Sequence, residues 1–499
     1  MSQLHSSEPN VVMLAAEAVP FAKVGGLADV AGALPRALEK CGVKTTLIIP
    51  GHRAALSGPF DTRPCGAVNG FDVRMGPSIE SAEIHQTRMN GTDVYLIGSR
   101  TYFDREGIYD DPSTGEGYPD NMLRFIFFMK AALELLERLG QPFDILHCHD
   151  SHTALVPGLL DMNHRHKPFF SRTGTLFTIH NLAYQGLYSK DALDYAEIDQ
   201  RHFYPMSPFE YWGQVNSMKA GIELSDKVNT VSRTYSVEIR SGAEFGMGLE
   251  GVLRDREDDL TGIVNGIDYG EWDPSRDPLI PAHYSVRNLA GKAACKNHLL
   301  KQVGLPRLRR RVPLVGMVSR LSDQKGFDLI LEAADEITAL DLQLVILGTG
   351  QKKYHEFLED LAARHPRKVA AKLTFSNQLA HRIEAGCDIF LMPSRFEPCG
   401  LNQLYSLRYG TIPVVRKTGG LADTVIPWES GKATGFSFSG YSAAEMMVAL
   451  RQALALYSNR NAWQEMMKRA MTQDWSWDRS ATDYLELYRA IRDRRLGAR

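Results

Sequence analysis

Along almost the whole chain, short runs of β-branched and aliphatic residues alternate with longer stretches whose apolar positions recur at helical spacing. In the first half the runs fall at residues 11–16, 45–49, 94–97, 145–148, 176–179 and 228–231. A second series falls at 314–318, 344–347, 373–375, 389–392 and 412–415. Helical patterns lie between them, for example at 121–139 and 327–339. Strands alternating with helices argue for parallel sheets covered by helices, and two series argue for two doubly wound α/β domains. The length of 499 residues exceeds the usual single-core limit and agrees with that division. The pattern is weakest over 268–311, which holds Asp273-Pro274, Asp277-Pro278 and a basic run at 307–311. The expected organisation is a disordered leader at 1–10, a first domain at 11–268, a linker region at 269–311 and a second domain at 312–477. A carboxyl-terminal helix at 478–499 follows, with Tyr484, Leu487 and Ile491 on its apolar face.

The richest stretch is SRFEPCGLNQLYSLRYGTIPVVRKTGGLADTV at 394–425. It places Glu397 just past the strand at 389–392. Gly400 then opens a helical pattern of Leu401, Leu404 and Leu407 that closes at Gly410. Ligands of open α/β sheets bind outside the carboxyl ends of the strands. A helix amino terminus after a glycine offers N–H groups and a positive dipole end to an anion. A carboxylate beside a phosphate cradle suits a sugar nucleotide. Arg320 and Lys325 occupy the equivalent place after the strand at 314–318, where a guanidinium fork and a mobile ammonium suit a diphosphate. A diphosphate leaving group gains charge as the glycosidic bond breaks, and two cations there stabilise the transition state. A faint repeat, VGGLADV at 24–30 and GGLADTV at 419–425, places a glycine pair before a helical pattern in each half. Glycines allow close backbone approach, either to a ligand or in a packed turn.

The block at 394–425 resembles the donor site of glycogen and starch synthases of the bacterial and plastid type. Four further segments carry the same resemblance in the same order: KVGGL at 23–27, HCHDSH at 147–152, TIHNLAYQG at 178–186 and SRLSDQKG at 319–326. The resemblance implies the GT-B arrangement, two facing Rossmann-like domains with an interdomain active-site cleft, and a last helix that crosses back to the first domain. It implies transfer of glucose from ADP-glucose to the nonreducing end of an α-1,4-glucan such as glycogen, with retention and release of ADP. No cofactor or metal is implied. By the same resemblance Glu397, Arg320, Lys325, His180 and Asp150 are the catalytic group. Lys23, Gly25, Gly26, Phe375, Gly400, Leu401, Asn402, Gly419 and Gly420 bind the donor, Phe375 by stacking on the base. Asn181, Tyr184 and Gln185 lie toward the sugar or acceptor. The chain departs from the family at Ser151, where a tryptophan is usual. Tyr405 stands where broader glycosyltransferases carry a second glutamate. Alternatives are another retaining GT-B enzyme using UDP-glucose, a nucleotide-sugar epimerase, and a non-catalytic glucan-binding protein.

Composition narrows the partners. The apolar fraction is 44%, the charged fraction 23% and the formal net charge −2, so no global field recruits nucleic acid or a membrane surface. No run approaches the roughly 18 apolar residues of a membrane span. The first ten residues lack a signal-peptide pattern, and the six cysteines show no C-x-x-C spacing, which together suit free thiols in the cytoplasm. A homo-oligomer stays open. His147 and His149 alternate along a strand as core residues do, which argues against a metal site.

Overall fold

The computed structural model describes residues 8–308 and 311–497 and divides into two compact units. The first comprises Met1–Val231, Ser236–Gly266 and Trp477–Arg499; the second comprises Ser232–Tyr235 and Ile267–Ser476.

In the first unit a ten-stranded sheet runs in the spatial order Leu260–Gly262, Lys227–Thr230, Gly174–Ile179, Ile145–His149, Val11–Leu14, Thr45–Pro50, Thr92–Gly98, Ser78–Met89 and Arg63–Pro64, with Gly70–Met75 also paired to Ser78–Met89. The pairs from Leu260–Gly262 to Thr92–Gly98 are parallel, and the added edge strands are antiparallel. Strands covered on both faces need apolar side chains throughout. Val11–Leu14 and Ile145–His149 are accordingly buried at every position. The first strand of the chain lies between the second and the fourth parallel strands, which creates a topological switch point at its carboxyl end.

The second unit repeats this order. Its six parallel strands run Val369–Lys372, Gln343–Leu347, Leu314–Val318, Ile389–Met392, Ile412–Arg416 and Phe436–Phe438. The switch point falls between Leu314–Val318 and Ile389–Met392. Two Rossmann-like sheets thus follow from the two series of apolar runs, with differences at the edges. The run at 373–375 is not a strand; the chain pairs at Val369–Lys372 instead, where Val369 and Ala370 are buried, and Phe375 falls in the loop beyond. The helical pattern at 327–339 breaks into Phe327–Glu332 and Ala334–Ala339.

The expected linker at 269–311 is largely built into the second unit. Trp272 is sandwiched between His381 and Tyr405, with ring centroids 3.7 Å away on each side. The helix Ala290–Val303 packs on Gly386, where an added Cβ would sit 3.0 Å from Leu299. Residues 309 and 310 of the basic run lie outside the described residues, as do 1–7 of the expected leader. The rest of that leader is ordered: Arg489 Nε donates to Glu8 at 2.9 Å, and Asn10 N donates to Asp144 at 2.8 Å.

The terminal helix Trp477–Gly497 belongs to the first unit and contributes Tyr484, Tyr488 and Ile491 to its core. Tyr488 OH bonds His147 Nδ1 at 2.8 Å, and Asn229 donates to Tyr484 OH at 3.2 Å. Gly174 admits this helix, because a Cβ there would lie 2.3 Å from Ile491 Cγ2 and 3.2 Å from Ile145 Cδ1. Gly174→Ala is therefore expected to destabilise the first unit by about 1–3 kcal/mol through overpacking. Thermal unfolding should show a lower midpoint, and an unchanged midpoint would contradict this packing.

Candidate functional site

Each switch point gathers charged side chains. In the second unit the loop after Leu314–Val318 carries Arg320, which is exposed, and Lys325. The loop after Ile389–Met392 carries Ser394 and Glu397, the latter only 5% exposed. Lys325 Nζ meets Glu397 Oε2 at 2.6 Å, and Ser394 Oγ donates to the same oxygen at 3.0 Å. A carboxylate this buried needs a partner, because an unpaired buried charge is strongly destabilising. The ammonium supplies it while its own side chain retains some solvent access.

Glycines shape the walls of this half-site. Gly326 has φ +77°, and a Cβ there would lie 2.1 Å from Pro393 O; Gly419 has φ +43°, with Glu397 O 2.0 Å from the same virtual atom. The loop at 397–400 is clamped further by Gln403, whose amide donates to Cys399 O at 3.0 Å and Gly400 O at 2.9 Å. Several of the expected donor residues also make contacts within the protein. Gly420 N donates to Glu397 O and Pro398 O, so its N–H is used within the protein. Asn402 donates its side-chain amide to Val318 O, tying the two strand ends together. The helix begins at Asn402, two residues after Gly400, with Leu401 as its N-cap; the Leu401 side chain packs against the Trp272 cluster. Phe375 is 82% exposed on its loop, whereas Tyr405 is buried against Trp272.

In the first unit the switch point lies between Val11–Leu14 and Ile145–His149. Beyond these strands come Glu17 and Asp150, only 3% and 8% exposed. Asp150 holds φ +58°, a left-handed conformation uncommon for a residue with a side chain, of the kind that clusters at functional sites. Its Oδ1 accepts His180 N at 2.7 Å. Glu17 accepts the backbone N–H groups of Val24 and Gly25, and the nearby Tyr109 hydroxyl favours its charged form. Burial pushes both carboxyls up to about 7 against the lowering effect of these hydrogen bonds, and the Glu17 charge raises Asp150 further.

His147, His149 and His180 are neutral at ordinary pH. Burial lowers His180 to about 3 and takes His147 and His149 well below the usual range. His180 Nε2 and His149 Nδ1 share a hydrogen bond of 2.9 Å, and His147 Nε2 lies 2.6 Å from Thr178 Oγ1. Among the described residues no group of three or more His, Cys, Asp or Glu side chains could hold a metal ion.

Lys23 and Gly26 are exposed, and Lys23 Nζ pairs with Asp29 at 2.6 Å. The Gly25 N–H donates to Glu17. Gln185 is buried, donates to Met247 O at 3.0 Å and accepts from Asn216 at 2.7 Å. Asn181 Oδ1 accepts Ala183 N at 3.1 Å in a turn, and Tyr184 is half exposed. Sequence reasoning missed Glu17, Tyr109 and Gln403. Glu17 alone left a signal, an acidic residue directly after the first apolar run and before the glycine pair.

A family model described as the starch synthase catalytic domain matches residues 10–255, and one described as glycosyl transferases group 1 matches residues 306–470. Glycogen synthase of Geotalea daltonii is 45% identical over 96% of this chain and 98% of its own length. Glycogen synthase 2 of Geobacter sulfurreducens is 44% identical over 98% of this chain and 100% of its own. The catalytic domain of starch synthase IV from Arabidopsis thaliana, solved bound to ADP and acarbose, superposes with a TM-score of 0.90 at 34% identity, covering 98% of this chain and 100% of that one. Sucrose-phosphate synthase from Thermosynechococcus elongatus, at 17% identity and TM-score 0.60, shares the fold alone. Among the described residues no helix is long and apolar enough to cross a membrane.

The two raised carboxyls predict a pH dependence. Unfolded, Asp and Glu titrate near 4. A folded value of about 7 means that the folded chain binds more protons in between. The stabilisation this brings is complete below about pH 4 and is lost as pH rises through about 7. Relative to Asp150→Asn, the native chain should lose thermal stability between about pH 5.5 and about pH 8. A difference between the two proteins that stays constant over this range would contradict the assignment.

Proposed function

Because the chain belongs to the glycogen and starch synthase family of GT-B glycosyltransferases, we propose that it transfers glucose from ADP-glucose to the 4-hydroxyl at the nonreducing end of an α-1,4-glucan, with retention and release of ADP. The observation that carries this reading is the Lys325–Glu397 pair, with Arg320 on the same loop as Lys325, at the second unit's switch point. As the bond from C1 to the diphosphate breaks, negative charge grows on the leaving oxygens and positive charge on the glucosyl ring. Arg320 and Lys325 neutralise the first, and Glu397 faces the second. In the free protein Lys325 balances Glu397; with donor bound, its remaining protons serve the diphosphate. The chemistry uses the protein's own cations and no cofactor.

The first unit supplies neutral and anionic groups together with the ammonium of Lys23. His180, neutral through burial, hydrogen-bonds a sugar hydroxyl without placing a cation beside a cation-like ring. Asp150 lies on its backbone N–H and orients that segment. Lys23 meets the donor, and the exposed Phe375 of the second unit offers a face to the base. An aromatic face does not by itself distinguish adenine from uracil. A donor panel with glycogen as acceptor tests the nucleotide: ADP-glucose should be the best donor, and preference for UDP-glucose would overturn that part of the reading.

Glu397→Ala should lower kcat by about 10²-fold or more, the scale of losing a partner for transition-state charge, with a smaller effect on donor KM. Near-normal turnover of folded variant would remove Glu397 from the mechanism. Arg320→Ala and Lys325→Gln should both weaken binding of free ADP in calorimetry, and unchanged ADP affinity would contradict their diphosphate role.

A further inference from the structure

The loop at 23–26 has no buried side chain with which to hold itself: Lys23 and Gly26 are exposed, Val24 is 54% exposed, and Gly25 contributes no side chain. Its two consecutive N–H groups nevertheless have one fixed partner, the Glu17 carboxylate. That carboxylate comes from the end of the first strand and is itself buried. The Tyr109 hydroxyl lies near it from a separate segment, and the charges of Asp150 and Asp29 both act on it unfavourably. Burying an ionisable group beside two other carboxylates costs stability that an apolar side chain would not. The arrangement is therefore explained by what the carboxylate holds in place.

We propose that Glu17 is a positioning residue that fixes the Lys23 loop for donor binding by occupying the Val24 and Gly25 amides, so that Lys23 meets the donor through its ammonium. The proposal rests on the donor reading given above. A glutamine keeps one acceptor oxygen for the two amides but replaces the second carboxylate oxygen, 3.2 Å from Gly25 N, by an NH₂ group that cannot accept, so it preserves part of the anchor. A glycine-rich loop without this anchor samples many conformations, and donor binding must then order it.

The test uses the full chain with ADP-glucose and glycogen, in a double-mutant cycle. Glu17→Ala should raise donor KM by about tenfold and Glu17→Gln by less, while kcat changes by less than about threefold in both, the pattern of lost ground-state positioning. In the Lys23→Gln background the same changes should have no further effect, because residues acting through one another are not additive. Hydrogen exchange in the peptide spanning 18–27 should quicken in both Glu17 variants, with the thermal midpoint showing that the remainder is folded. Unchanged exchange there, an unchanged donor KM, or effects that add to those of Lys23→Gln would each overturn the proposal. If Lys23→Gln leaves donor KM unaltered while Glu17→Ala raises it, the route through Lys23 is wrong, yet donor binding by Arg320 and Lys325 stands. If no nucleoside-diphosphate glucose is consumed at all, the functional reading fails, and the exchange measurement still decides whether Glu17 holds the loop.

Discussion

Two parallel strands whose onward connections leave in opposite directions cannot fill the space beyond their carboxyl ends, and this constraint governs where the chemistry of the protein collects. In each unit the first strand lies beside the fourth parallel strand. In the second unit that junction brings Lys325 and Glu397 together, although 72 positions separate them in sequence. The glycines at 326, 400, 419 and 420 let the surrounding loops approach one another, and Asn402 ties the two strand ends. In the first unit the same junction collects Glu17 and Asp150.

The two units meet the problem of a buried carboxylate differently. Glu397 is balanced by an ammonium, which leaves a cation at the second unit's switch point. Glu17 and Asp150 have backbone N–H groups instead of a cation, and burial raises both. The glycine-pair repeat reads differently in this light. At Gly419-Gly420 the absence of side chains allows close packing on the 397–399 backbone, and at Gly25 the amide is already bonded to an internal anion. Similar sequence thus serves two packing needs.

The central strands were legible because a strand buried on both faces must be an apolar run, and 314–318 and 389–392 coincide with their observed bounds. The short edge strands Leu260–Gly262 and Phe436–Phe438 have little such signal, and the run at 373–375 was displaced by pairing at Val369–Lys372. That Lys325 and Glu397 each lie just past a strand's carboxyl end could be anticipated from loop position; that they pair with each other could not. The work of Gln185, Asn402 and Gly420 could not, because an amide's partner is chosen by residues distant in sequence, such as Met247 or Val318. The stretch at 269–311 looked like a linker because its prolines and charges hide the packing of Trp272 and of the helix Ala290–Val303.

The central claim is that the second unit's switch point receives the donor's diphosphate. An experimental structure of the protein soaked or co-crystallised with ADP measures this directly. The account predicts both phosphates within hydrogen-bonding distance of Arg320 and Lys325, with the Val24 and Gly25 amides still on Glu17. A diphosphate seated on those two amides, with the Glu17 carboxylate turned away, would contradict it.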